Sequence, residues 1–191
     1  MSHDLNPVSA AQAEADTRRW LERAVIGLNL CPFAKAVHVR GQVHYATFLD
    51  ADETGLLDVL LQEAEALVAS DPAERDTTLL ITPNTLADFL DFNDLTARAE
   101  RRLARAGFDG TLQLASFHPR FQFGGTEADD IGNATNRAPY PILHLLREDS
   151  VSRAVEAFPE AEAIFERNIR TLEALGPEGW AALGVGPGAA P

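Results

Sequence analysis

The residues with most capacity for chemistry in this chain are gathered between Ser116 and Arg147, in SFHPRFQFGGTEADDIGNATNRAPYPILHLLR. Two histidines, two adjacent aspartates, three arginines and two asparagines share a stretch too polar and too broken to be core. A loop of this size in a compact domain is usually either functional or disordered. Phe117, Phe121, Phe123 and Tyr140 argue for order, because they offer apolar area that pins the loop to a scaffold. His118 leaves a strand end with its backbone held extended by Pro119. An imidazole oriented by a carboxylate is the usual build of a general base, and Asp130 is the expected partner. Asp129 then points away, since neighbouring side chains on an extended segment diverge. Arg137, on a loop stiffened by Pro139 and Pro141, suits bidentate recognition of a carboxylate or phosphate, with Asn133 and Asn136 as polar supports. The competing reading is a structural His118 bonded to its own loop and an Arg137 that staples that loop.

Cys31 precedes Pro32, and a helical turn beginning there would place the thiol at a helix N-terminus with Lys35 one turn on, which lowers a thiol pKa. Leu28, Leu30 and Phe33 pull the other way, toward a buried and inert thiol. Burial is the stronger expectation, with Cys31 as nucleophile and Lys35 as substrate-binding partner the alternative. His118, Asp129, Asp130 and His144 carry metal donors, but no compact ligand signature links them, so no metal is expected. Nothing in the sequence names a cofactor. Gly124-Gly125-Thr126 lacks the lysine and helix of a phosphate-binding loop. Arg98, Arg101, Arg102 and Arg105 repeat at helical spacing and read as an exposed face.

The elements that must position these residues follow from composition and period. At 191 residues and 46% hydrophobic content the chain suits one well-buried domain. A formal charge of -13 and pI near 4.7 exclude non-specific binding of nucleic acid or of an anionic membrane. A single cysteine excludes an intrachain disulfide. Without a signal-like start or an apolar span, a soluble cytoplasmic protein is expected. Ser9 and Gln12 open a helix striped by Trp20, Leu21, Ala24, Val25 and Leu28. Val37 to Phe48 alternates with period two and reads as a strand. A helix over Leu56 to Val68, a buried strand over Thr77 to Thr82, a helix capped at Thr85 or Asp88 and ending before Gly107, and a strand over Thr111 to Phe117 follow. Ile142 to Arg147 reads as a strand, with a helix the alternative. Helices over Ser150 to Phe158 and Glu160 to Leu175 come last, the second ended by Gly176-Pro177. Residues 1–8 form a loose arm, 9–177 the domain and 178–191 a flexible tail. Alternating strands and helices imply an α/β fold, with α+β the alternative: a mixed sheet of about four strands with helices packed on it. Ligands then sit beyond the carboxyl ends of the strands, where the 116–147 loop departs.

The strings GLNLCPFAKAVHVRGQVHY, DFLDFND, ASFHPRFQF, DDIGNATNRAPYPILHLLRE and AFPEAEAIFERNIRTLEALG resemble a bacterial family catalogued as domain of unknown function 1415. The resemblance covers nearly the whole chain, and TNRAPYP and LNLCPFA are its distinctive pieces. It implies a soluble, single-domain protein and assigns no chemistry. The residues themselves point to a small enzyme acting on an anionic small molecule, with His118 as acid or base, Asp130 orienting it, Arg137 holding substrate and Cys31 an outside nucleophile. The alternative is a non-catalytic ligand-binding or protein-interaction module built on the same loop. Oligomeric state is left open.

Overall fold

The computed structural model describes residues 7–157 and 163–189. Residues 1–6 of the expected arm, Phe158, the start of the last expected helix at 160–162, and 190–191 of the expected tail lie outside them. The first helix, α1 (Ala10–Trp20), begins where Ser9 Oγ accepts the Gln12 N–H at 3.2 Å, and it runs on into a π-helical turn, Leu21–Ile26. The expected strand from Val37 is corrected at its start. Residues Ala34–Val39 form a short helix, α2, and the strand β1 covers only Val43–Thr47. Two valines two residues apart fit a helix as well as a strand over so short a span, and Gly41, at φ 70°, turns the chain between the two elements.

The remaining elements are α3 (Glu53–Ala69), β2 (Thr77–Ile81), α4 (Phe89–Arg105), β3 (Leu112–Phe117), a 3-10 turn (Ile131–Asn136), β4 (Ile142–Arg147), α5 (Glu148–Ala157) and α6 (Ile164–Ala182). Asp52 caps α3, accepting from the Thr54 and Gly55 N–H groups, and Asp88 rather than Thr85 caps α4. Gly176, at φ 70°, breaks α6 as expected, but Pro177 then opens a further helical stretch to Ala182. The chain beyond it is packed rather than loose: Val185 is buried, and the Gly188 N–H donates to Asp16.

The four strands lie in the order β1-β2-β4-β3, with β1 and β2 parallel and β4 antiparallel to both its neighbours. Helices therefore cross between β1 and β2 and between β2 and β3, while the long 118–141 segment returns the chain to insert β4. One sheet face carries Ala46, Leu80, Leu143 and Leu145, and α3 and α4 cover it with Leu56, Leu60, Phe92 and Leu95. Each of those leucines is fully buried and contributes about 2 kcal/mol of transfer free energy. Salt bridges from Arg98 to Glu53 and from Arg102 to Asp58 join the arginine face of α4 to the acidic face of α3. The opposite face, with Leu79, Ile81 and Ile142, is covered by Trp20, Leu21, Ala24 and Val25 together with Tyr140 and Val185. Leu30, Ala134 and Leu172 tie α6 to the 3-10 turn.

Candidate functional site

His118 follows directly from β3 and is 1% exposed. Its Nδ1 accepts the Arg120 backbone N–H at 3.0 Å, which leaves the proton on Nε2 to be donated to the Leu86 carbonyl, also at 3.0 Å. The ring stacks on Phe92 with centroids 5.2 Å apart. Burial, opposed by the bond to Leu86, lowers its pKa, so the imidazole is neutral at pH 7. Leu86 has φ 58°, an uncommon and costly conformation for a bulky residue. The bond from His118 helps to hold it, and Arg120 bonds the next carbonyl, that of Ala87. His118 thus clamps the segment leading into α4 and has both nitrogens committed to main chain.

The other residues singled out in the loop are bonded among themselves. Asp130 accepts the Gly132 N–H at 2.8 Å and caps the 3-10 turn. Arg137 donates to the carbonyls of Phe121 and Ala128. Asn133 accepts from the Phe123 N–H and the Thr126 hydroxyl and donates to the Glu127 carbonyl. Asn136 donates to the Ser116 carbonyl, while its own carbonyl takes the His118 N–H. No hydrogen bond or ion pair links His118 to Asp130 or to Arg137 among the described residues, and Asp130 reaches Arg137 only through the longer-range attraction that offsets the burial of the guanidinium. Nor do three histidine, cysteine or acidic side chains gather as a metal cage among those residues.

A different set of residues surrounds empty space. Between the face of the sheet that carries Leu79 and the helices α2 and α5 lies a cavity of about 720 Å³, within the usual range of small-molecule pockets. Its floor is Val43, Thr77, Leu79, Ala115, Phe117 and His144; Trp20, Leu21 and Val25 form one wall, and Phe33, Val37, Val151 and Ala154 close over it. It reaches Thr77, Gln113 and Arg147, at the amino ends of β2 and β3 and the carboxyl end of β4, so it does not sit where the open-sheet rule places it. Of the catalytic and substrate-binding candidates read from the sequence, Cys31 lines it; His144, weighed there as a metal donor, lines it too. The Cys31 thiol faces the Phe33 and Ala34 N–H groups, but burial is the larger influence and raises the pKa. Lys35 is exposed on the far side of α2.

The polar groups around the cavity are few. Arg147 bonds the carbonyls of Leu67, Ser70 and Arg75, closing the C-terminal end of α3. Ser150 donates to Asp76 at 2.6 Å and accepts from Arg153 at 3.0 Å. Arg40 and Arg153 form no ion pair among the described residues. His144 sits mid-floor, opposite Leu79 and Ala115. Its Nε2 lies 2.6 Å from Thr77 Oγ1, which is itself 2.7 Å from the Leu145 carbonyl. Burial pushes the His144 pKa down to about 4. The one signal of this site in the sequence is a histidine inside the apolar run ILHLLR. Its partner Thr77 and the rim arginines stand far from it in sequence and give none.

A single mixed sheet wrapped by helices, with a largely apolar cavity on one face, defines the class of small α/β domain that this chain forms. Residues 12–182 match the model of a family described as protein of unknown function (DUF1415), and the chain belongs to that family. No curated protein and no solved structure matches it.

Proposed function

We propose that this protein binds a small amphipathic anion, an apolar body carrying a carboxylate or phosphate, in the cavity on the sheet face. The observation that carries the reading is an apolar cavity whose rim holds two arginines, Arg40 and Arg153, free of ion pairs among the described residues of a chain with formal charge -13. Carboxylates are abundant in this chain, and an arginine that pairs with none of the described ones is available to an anion from outside. Burying some 200 Å² of apolar ligand surface contributes about 5 kcal/mol before the cost of association, which suits micromolar binding once the anion is held. The earlier expectation of acid–base work at His118 draws no support from a ring whose two nitrogens are both spent on backbone. A second reading, a protein-interaction surface beside the 116–147 loop, is favoured by one observation: Phe89, Phe121, Phe123 and Phe165 form a chain of ring contacts that ends at the half-exposed Phe165, with Leu90 71% exposed nearby in sequence.

Anilinonaphthalene sulfonate, an apolar anion that fluoresces when desolvated, tests the cavity reading. Saturable binding with one site per chain is expected, with near-ultraviolet circular dichroism unchanged so that a molten state is not the cause. Arg40→Gln with Arg153→Gln should weaken it several-fold, in line with about 0.5–1 kcal/mol for each exposed ion pair. Absence of binding to the folded protein, or undiminished affinity in the double variant, would remove the basis of the proposal.

A further inference from the structure

Resting on that reading of the cavity, we propose that His144 selects the ligand, its Nδ1 accepting a hydrogen bond from a hydroxyl at the end of the apolar body remote from the anionic group. The Thr77 hydroxyl has a single proton to give. Thr77 Oγ1 is 2.7 Å from the Leu145 carbonyl oxygen, which can only accept, so the proton points there. Toward His144, at 2.6 Å, the same oxygen must then be the acceptor, and Nε2 must carry the imidazole proton. The chain Nε2–H to Thr77 to the Leu145 carbonyl fixes both the tautomer and the ring plane. It leaves Nδ1 as a bare lone pair. Nδ1 has no partner among the described residues, and it is not one of the buried unpartnered atoms, so it is open to the cavity that His144 lines.

The surroundings decide what that lone pair will take. Leu79 and Ala115 flank His144 across the two neighbouring strands, and the Phe117 ring stands 6.1 Å away, centroid to centroid. No carboxylate contacts the ring among the described residues, and burial alone governs its pKa, so the ring is neutral at pH 7 and its Nδ1 accepts rather than donates. A ligand carboxylate is therefore a poor partner for this nitrogen, whereas a hydroxyl is a good one. The arginines hold the other end: Arg40 and Arg153 lie at the exposed rim while His144 lies on the strand floor. A ligand that satisfies both is an apolar acid hydroxylated at its far end. A site with an acceptor in apolar surroundings discriminates against the analogue that lacks the donor, because the acceptor is then desolvated without compensation.

Two compounds make the test: naphthoate, and naphthoate with a hydroxyl at the end remote from its carboxylate, each titrated into the full chain by calorimetry or by quenching of Trp20, which lines the cavity. The hydroxylated compound should bind about tenfold or more tightly, the ratio expected for one net hydrogen bond of 1.4 kcal/mol. In His144→Phe the ratio of the two affinities should fall to about one, whatever the variant's affinity for naphthoate itself, and Thr77→Val, which frees the tautomer, should reduce it. Should these variants fold poorly, nitrogen-15 spectra of wild-type imidazoles give an independent readout: His144 is expected as the Nε2–H form, with the Nδ1 resonance moved by the hydroxylated compound and not by naphthoate. Equal affinity of the wild type for the two compounds, a preference that survives in His144→Phe, or an Nδ1–H tautomer overturns the role of His144 and leaves the anion-binding cavity standing. Failure of both compounds to bind overturns both readings together.

Discussion

Replacing Asp16 by alanine deletes one side chain and with it the shared acceptor of four donors. Asp16 is fully buried in α1, yet its Oδ1 accepts from Gln12 and Arg19, each at 2.9 Å, and its Oδ2 accepts from the Tyr140 hydroxyl at 2.7 Å and the Gly188 N–H at 2.9 Å. Burial works against the charge, but those bonds outweigh it and hold the pKa below the ordinary value. Alanine leaves the buried Tyr140 hydroxyl unsatisfied, at about 1–3 kcal/mol, and unties the exposed Gly188 from α1, while Arg19 and Gln12 can turn to solvent. We expect Asp16→Ala to lose about 4 kcal/mol, a large part of the stability of a domain of this kind, and Asp16→Asn, which keeps one oxygen, about 2 kcal/mol. Urea unfolding followed by tryptophan fluorescence measures both, and hydrogen exchange at Gly188 should show the tail released in the alanine variant. The pH dependence has a defined sign. A carboxyl with a depressed folded pKa contributes stability that is complete above its unfolded value of about 3.9 and is lost as pH falls through the folded value. Asp16→Asn should flatten the wild-type loss below about pH 4. A loss under about 1 kcal/mol in Asp16→Ala, with Gly188 still protected, would refute the view that this carboxylate organises the junction of α1, Tyr140 and the tail.

Two further outcomes follow from the site geometry. His118→Phe should destabilise the fold by about 2–4 kcal/mol in urea, by freeing the strained Leu86 carbonyl and the Arg120 amide, yet leave anilinonaphthalene sulfonate affinity unchanged; a lost affinity at retained stability would restore His118 to the site. Cys31 should react slowly with iodoacetamide in the native state and quickly in denaturant, and naphthoate should slow the native reaction further because the thiol lines the cavity; mass spectrometry follows the adduct, and rapid native labelling unaffected by naphthoate would contradict this.

The strands β2 and β3 were legible because each is a short run of strand-forming residues between turn or loop residues, β4 only as a run that a helix fits nearly as well, and the caps at Ser9 and Asp88 because their side chains act locally. Val37 and Val39 misled because two residues two apart carry no period of their own. The polar loop was visible as a composition, but composition does not reveal how a polar side chain is spent. Asn133, Asn136 and Arg137 are used within six to twenty residues of themselves, and apart from the Thr126 hydroxyl the matching groups are main-chain carbonyls and amides, which every sequence contains. The cavity was hidden for the opposite reason. It is a volume left open where α2 and α5 cross a sheet face, and His144 acquires its role from Thr77, 67 residues away.

The π-helical turn at Leu21–Ile26 gives that cavity an unusual dependence on chain length. Gly27 and Leu30 reach back five residues, to the carbonyls of Glu22 and Val25, so the segment holds one residue more than a regular helix would need for the same rise. A Cβ on Gly27 would sit 2.2 Å from the Arg23 carbonyl oxygen, so the widened turn and the glycine that ends it form a single unit. Wound into an ordinary helix with all its residues kept, the segment would turn everything beyond it by about 100°. Trp20 and Leu21 could then no longer share a wall with Val25 and Cys31. The surplus residue is a spacer, and the shape of the binding wall is written in a count of residues as much as in their kinds.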